Sequence, residues 1–245
     1  MGLFDLFKGE KKGGKGSKAS PAAKWAERIE KRAQNYDRQE AIQALAEMAT
    51  PEAVEALLKR FTFHIDPSIT DQEEKESAFR GILRAEKNAI EPVRAFAGKA
   101  ESLAWPMKIM KELVDDEEYT EELLRWLARW DTEYAKFVDP KVQILTALEE
   151  QKQAGVREQV ERFLEDVHEP SRFHAASTLL AQGDEAAAPA LAHLLGDEES
   201  VRVRTRIAEG LAARGWIVPP EERDAVRGSL PPAFSLEDSG RIVKR

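Results

Sequence analysis

Few residues in this chain could do chemistry. The four histidines, His64, His168, His174 and His193, include no two that stand three or four apart on one helix, the spacing that aims two imidazoles at one metal ion. There is no cysteine, which removes thiolate nucleophiles, disulfides and cysteine-ligated zinc. No glycine-rich loop follows a strand pattern, so nothing is set up to cradle a phosphate. The expectation is a chain with no catalytic residues, no metal and no cofactor.

Two clusters still invite a functional reading. Trp126 and Trp130 lie one helical turn apart beside Arg125, Arg129 and Asp131, and Trp105 begins the preceding helix. Against this, Leu123, Leu127 and Trp130 share an i, i+4, i+7 stripe, and aromatic side chains at helical spacing are ordinarily core. Nearby, Glu112, Asp115, Asp116, Glu117, Glu118, Glu121 and Glu122 form an acidic run. It reads as a solvated loop between helices or as a surface that steers a basic partner, and it would repel a phosphate backbone. Arg202, Arg204, Arg206, Arg214, Arg223 and Arg227 are a basic counterpart, free to face solvent or to pair with acids of a neighbouring segment.

Charge divides the chain. Residues 1–18 carry five lysines against Asp5 and Glu10, or +3, so the remainder holds −11 of the total of −8. An acidic body argues against broad nucleic-acid binding, because affinity for the phosphate backbone comes from clustered Lys and Arg. No run approaches the roughly 18 to 20 apolar residues of a membrane-spanning helix, and acidic Asp5 stands where a secretory signal would be basic. The expected location is cytoplasmic, with scope for peripheral contact at the inner face of the membrane.

That contact would come from residues 1–19, read as a flexible basic leader. At about 100° per residue, Leu3, Phe4, Leu6 and Phe7 fall on one face, with Asp5 and Lys8 outside it. Lys8, Lys11 and Lys12 follow, so the leader could combine apolar insertion with attraction to anionic lipid, or dock into a protein groove. Leu6 stands where a myristoylation motif wants Ser or Thr. The opening Met1-Gly2-Leu3-Phe4-Asp5 resembles short leaders on some bacterial cytoplasmic proteins that touch the membrane.

The elements that must position all of this are helical. Ser20 and Pro21 open a capping helix read over 20–35. Then a unit repeats, its first helix carrying an apolar pair followed three positions later by another apolar residue: Ala41 and Ile42 with Leu45, Ala78 and Phe79 with Ile82, Ile109 and Met110 with Leu113, Ile144 and Leu145 with Leu148, Ala175 and Ala176 with Leu179, Ile207 and Ala208 with Leu211. The third residue recurs at intervals of 37, 31, 35, 31 and 32, a repeat period with variable loops. Second helices show their own stripes, among them Val54, Leu57 and Leu58, and Val156, Val160, Phe163 and Leu164. Gly183, Gly196 and Gly215 are expected helix ends. After Trp216, paired prolines break the rhythm, and Phe234–Leu236 with Arg241–Lys244 could form a hairpin.

Ser200-Val201-Arg202-Val203-Arg204 through Leu211 resembles the HEAT-repeat pattern. Glu169-Pro170-Ser171-Arg172-Phe173-His174-Ala175-Ala176 through Leu180, and Ala188-Pro189-Ala190-Leu191 to Leu195, are similar. The resemblance spans roughly 37–215 and is strongest after about 139. It implies an all-α, right-handed solenoid of about six helix pairs over 20–245, with 216–245 as a C-terminal cap. Tetratricopeptide repeats, the competing helical array, fit less well because their regular Trp, Gly, Tyr and Ala positions do not recur.

HEAT-like repeats occur in scaffolds and adaptors, in phycobilisome lyase-type proteins and in bacterial DNA alkylation repeat proteins, where tryptophans and an aspartate line a groove. The reading favoured here is a non-enzymatic scaffold or adaptor for a protein partner. A DNA-binding or alkylated-base-recognising repeat protein, or a lyase or chaperone of HEAT type, is the alternative. The expected partner face comprises Glu55, Lys59, Arg94, Glu122, Arg125, Trp126, Arg129, Glu158 and Arg162, and no small-molecule substrate is expected.

Overall fold

The computed structural model describes residues 20–245. Four of the helices begin where a side chain accepts from a backbone N–H that has no partner in the first turn, a contribution of about 1 kcal/mol each. Ser20 Oγ accepts from Ala23 N at 3.2 Å as α1 (Pro21–Ala26) starts, and Thr50 Oγ1 from Ala53 N at 3.3 Å as α3 (Pro51–Leu58) starts. Asp115 and Ser200 serve α7 (Asp116–Leu127) and α12 (Val201–Arg214) in the same way. Gly183 and Gly215, at φ of 77° and 64°, close the helices before them, a conformation a Cβ would disfavour.

The first helices of the pairs are α2 (Asn35–Met48), α4 (Ser68–Leu83), α6 (Ala104–Leu113), α8 (Asp139–Leu148), α10 (Glu169–Gln182) and α12. The second helices are α3, α5 (Lys87–Ala97), α7, α9 (Val156–Val160) with the 3₁₀ turn Glu161–Glu165, α11 (Ala188–Asp197) and the short α13 (Arg223–Ser229). Within the first layer α2 packs on α4, α4 on α6, α8 on α10 and α10 on α12; within the second, α3 packs on α5 and α11 on α13. The molecule is an α-solenoid, with one apolar core running from Ala22 to Ile242 between the layers. Every apolar residue that set the repeat period in the first helices is buried, apart from half-buried Leu113.

Three expectations change. The capping helix read over 20–35 ends at Ala26. The cause is tertiary: turning there buries Ile29 to 2% exposure and brings Arg28 within 2.8 Å of Glu40 on α2, while Tyr36 is left 75% exposed. The acidic run is not a loop, since Asp115 caps α7 and Asp116, Glu117 and Glu118 form its first turn, where the positive end of the helix dipole favours carboxylates. Gly196 lies inside α11 and does not end it. A Cβ there would come within 2.9 Å of the Ala225 Cβ, so this glycine lets α13 approach α11.

Beyond Trp216 the chain closes the core. Strands β1 (Phe234–Leu236) and β2 (Ile242–Lys244) form an antiparallel hairpin in the register Phe234 to Lys244, Ser235 to Val243 and Leu236 to Ile242. Trp216, Val218, Phe234 and Ile242 are buried beneath it. Arg223 ties the hairpin to α13 by donating to the carbonyls of Val218, Asp238 and Ser239.

Candidate interaction surface

A row of cations runs through the first-helix layer. Counting seven residues back from each period-setting apolar residue gives Arg38, Lys75, Pro106, Lys141, Arg172 and Arg204, separated by the same intervals of 37, 31, 35, 31 and 32. Arg38 and Arg60 both reach the Glu74 carboxylate, at 3.0 and 2.7 Å. Lys75 and Arg60 meet Asp71 at 2.7 and 2.8 Å. Lys141 pairs with Asp166, Arg172 grips both oxygens of Glu198 at 2.7 and 2.9 Å, and Arg204 donates to the Ser229 carbonyl.

These charges sit where apolar side chains would be expected. Arg38, Arg60, Glu74, Lys75, Lys141 and Asp166 are buried, so each needs its partner. Burial opposes ionisation of the Asp71 carboxyl, yet hydrogen bonds from Lys75, Arg60 and the Ile65 N–H outweigh it and hold the acid well below the usual carboxylate range. Glu198 is likewise desolvated and likewise lowered, by Arg172 and the Ser200 N–H. At Pro106 the row is interrupted. There the acid–base contact moves to the second layer, where Arg94 of α5 and Arg125 of α7 converge on Glu122 Oε2 at 2.8 and 2.6 Å. Glu122 Oε1 is buried without a hydrogen-bond partner.

The repeat geometry agrees with the comparison of family models. A model described as HEAT repeats matches residues 133–212, and one described as PBS lyase HEAT-like repeat matches residues 37–62. Over these two stretches the chain is built of HEAT repeats. The first match covers α8 to α11 and most of α12, as the sequence pattern after about 139 led us to expect. The second covers α2, α3 and the turn after them, a unit whose pattern had looked divergent. Both of these HEAT stretches contain row cations. No curated protein and no solved structure matches the chain.

The solenoid separates the nine residues expected on one partner face. Trp126 is only 4% exposed and Glu122 only 1%. Both are withdrawn from any surface, Trp126 because it belongs to the core stripe of α7 and Glu122 because two arginines hold it inside. Burial equally removes Trp126 as a platform for stacking a base. Arg94, Arg125 and Glu122 do come together, as the contact between α5 and α7 just described. Arg129 donates to the Gly98 carbonyl and Arg162 to the Trp130 carbonyl, so each staples one repeat to the next. Lys59 is exposed on the 3₁₀ turn Lys59–Thr62. Leu3, Phe4, Leu6, Phe7, Lys8, Lys11 and Lys12, and with them the membrane or docking role of the leader, lie outside the described residues.

The basic set near the C-terminal end is absorbed too. Arg202 pairs with Glu169, Arg206 donates to Ser177 Oγ, and Arg227 pairs with Asp224. Among the described residues, no three His, Asp or Glu side chains converge to hold a metal ion. No helix there is long and apolar enough to cross a membrane.

One open groove, of about 820 Å³, lies on the second-helix side between α9 with its 3₁₀ turn and α11. Glu158 and Arg162 line it, as do His193 and the row acids Asp166 and Glu198. Seven of its lining residues are carboxylates and three are arginines. Arg157 is engaged by Glu158, Glu161 and Asp184, and Arg172 by Glu198, which leaves Glu165, Asp197 and Glu199 exposed along the edge. Sequence reasoning missed these three because it weighed the denser acidic run around residue 117 instead. The signal available was their position one repeat apart, at the ends of successive second helices.

Proposed function

We propose that this protein is a non-enzymatic cytoplasmic scaffold of HEAT-repeat type that holds a protein partner through a basic segment laid in the groove between α9 and α11. The observation that carries this reading is the surplus of carboxylates over arginines in that groove, on second helices whose cores are already filled. Complementary charge would steer a Lys- or Arg-rich segment there and fix its register, while affinity would depend on how closely the segment fits. A groove of this volume suits side chains of a peptide better than a flat face would.

The test is capture of partners by the full chain and by a Glu165→Lys, Glu199→Lys variant. Both positions are exposed, so stability should change by about 0.5 kcal/mol or less. The proposal expects partners captured by the parent protein to be lost in the variant and to elute at raised salt. An identical, salt-insensitive capture profile would remove this groove as the binding site.

A further inference from the structure

A second groove lies at the other end of the solenoid and differs in character. The walls formed by α3, the 3₁₀ turn after it, α5 and α6 enclose about 1010 Å³. Its floor is apolar: Leu58, Pro92 and Pro106 are buried, and Phe61, Phe96 and Trp105 are partly open to solvent. Phe61 and Trp105 stack with ring centroids 4.6 Å apart, and Lys108 Nζ lies 4.8 Å from the Trp105 ring. Glu55, Glu101 and Lys99 stand exposed at its edge. A floor of grouped aromatics facing water marks a surface that gains free energy when covered.

We propose that the occupant is the chain's own N-terminal leader, with Leu3, Phe4, Leu6 and Phe7 on the aromatic floor. Three observations favour this occupant. The first is reach. Ser20 opens α1, α1 packs on α3, and α3 is itself a wall of the groove. Residues 8–19 separate the apolar face from Ser20, and twelve extended residues span up to about 40 Å, several times the roughly 8–10 Å between packed helices.

The second observation is complementarity of surface. Two turns of helix do not hold alone in water, and an apolar face at helical spacing gains a fixed shape by lying in a groove. The third is charge. The leader carries +3 and the rest of the chain −11, and at the groove's edge the exposed Glu55 and Glu101 outnumber the exposed Lys99, so the charge there favours the lysines that follow Phe7. Tethering supplies an effective concentration on the order of millimolar, so even weak intrinsic affinity keeps the groove filled.

The absence of cysteine allows a direct test. A nitroxide is attached to Gly9→Cys in the full ¹⁵N-labelled chain, and the indole N–H signals of Trp105 and Trp216 are compared with the label oxidised and reduced. The expected result is loss of the Trp105 signal with Trp216, at the opposite cap, unchanged. Adding Phe4→Asp and Phe7→Asp to the same chain should restore Trp105, and both substitutions lie in the leader, outside residues 20–245. Equal loss at both tryptophans, or at neither, would overturn the proposal. So would loss seen only when spin-labelled and ¹⁵N-labelled chains are mixed, which would seat the leader on a second copy. Sedimentation with anionic vesicles, combined with an unaffected Trp105 signal in their absence, would assign the leader to the membrane instead.

Discussion

Lys141 is fully buried with its ammonium against Asp166 and the Asp131 carbonyl. Replacing it by methionine keeps most of the side-chain volume but leaves Asp166 as an uncompensated buried charge. Breaking such a pair from one side costs about 3–5 kcal/mol, far more than an exposed pair such as Lys111–Glu150 contributes. Urea unfolding of Lys141→Met should therefore show a midpoint well below that of Lys111→Met. Equal midpoints would mean that the row of cations does not hold adjacent repeats together. Trp126 teaches a related lesson: its alanine variant would report on core packing, not on a partner.

At the scale of the element, Gly81 shows how closely first helices approach. A Cβ there would meet Ala46 Cβ at 2.7 Å, and α2 has no flexible side-chain tip at that point to give way. Valine would improve the helix propensity of α4 by less than about 1 kcal/mol, but overpacking costs about 1–3 kcal/mol. Gly81→Val is expected to lower the thermal midpoint, and an unchanged or higher midpoint would show that α2 and α4 can part without loss. Much of this architecture was legible in the sequence. The apolar triplets marked the period, and Phe234–Leu236 with Arg241–Lys244 marked the hairpin, because each is a local pattern; the paired prolines did not end the helices, since α13 forms between Pro220 and Pro231. The rest depends on contacts between different elements, such as Arg38 with Glu74, 36 residues on, and Lys141 with Asp166, 25 residues on. Arg38, Lys75 and Lys141 are of types usually assigned to the surface, although their spacing repeats the apolar intervals and would have placed them. Of the expected partner face, Glu158 and Arg162 do share a groove. Trp126 and Glu122 could not be placed from one helix alone, since past the exposed first turn neighbours bury all of α7 except Glu121 and Arg125, on the stripe that Glu118 begins.

For the whole molecule, stability is nearly a sum over repeats and the interfaces between neighbours, so one weak interface divides it. Pro106 interrupts the cation row, and the connection 128–138 that follows is irregular. Across it α6 does not pack closely on α8 as the other first helices do on their neighbours, and the junction rests on α7 against α8 with polar contacts from Gln143 to the Leu103 N–H, Thr120 to Gln151, Lys111 to Glu150 and Arg162 to the Leu127 and Trp130 carbonyls. Native-state hydrogen exchange in rising denaturant is expected to resolve two cooperative units, 20–127 and 139–245. A single unit spanning both would contradict the weak-interface argument. The uneven intervals also bear on how such a chain can change. Spacing along the row varies from 31 to 37 residues while the register of the first helices persists, so differences in length are absorbed in the connections and at the helix ends. The segment around Tyr134, which is 78% exposed, is therefore a place where an inserted sequence, even a foreign domain, could be carried without shifting the register of either half.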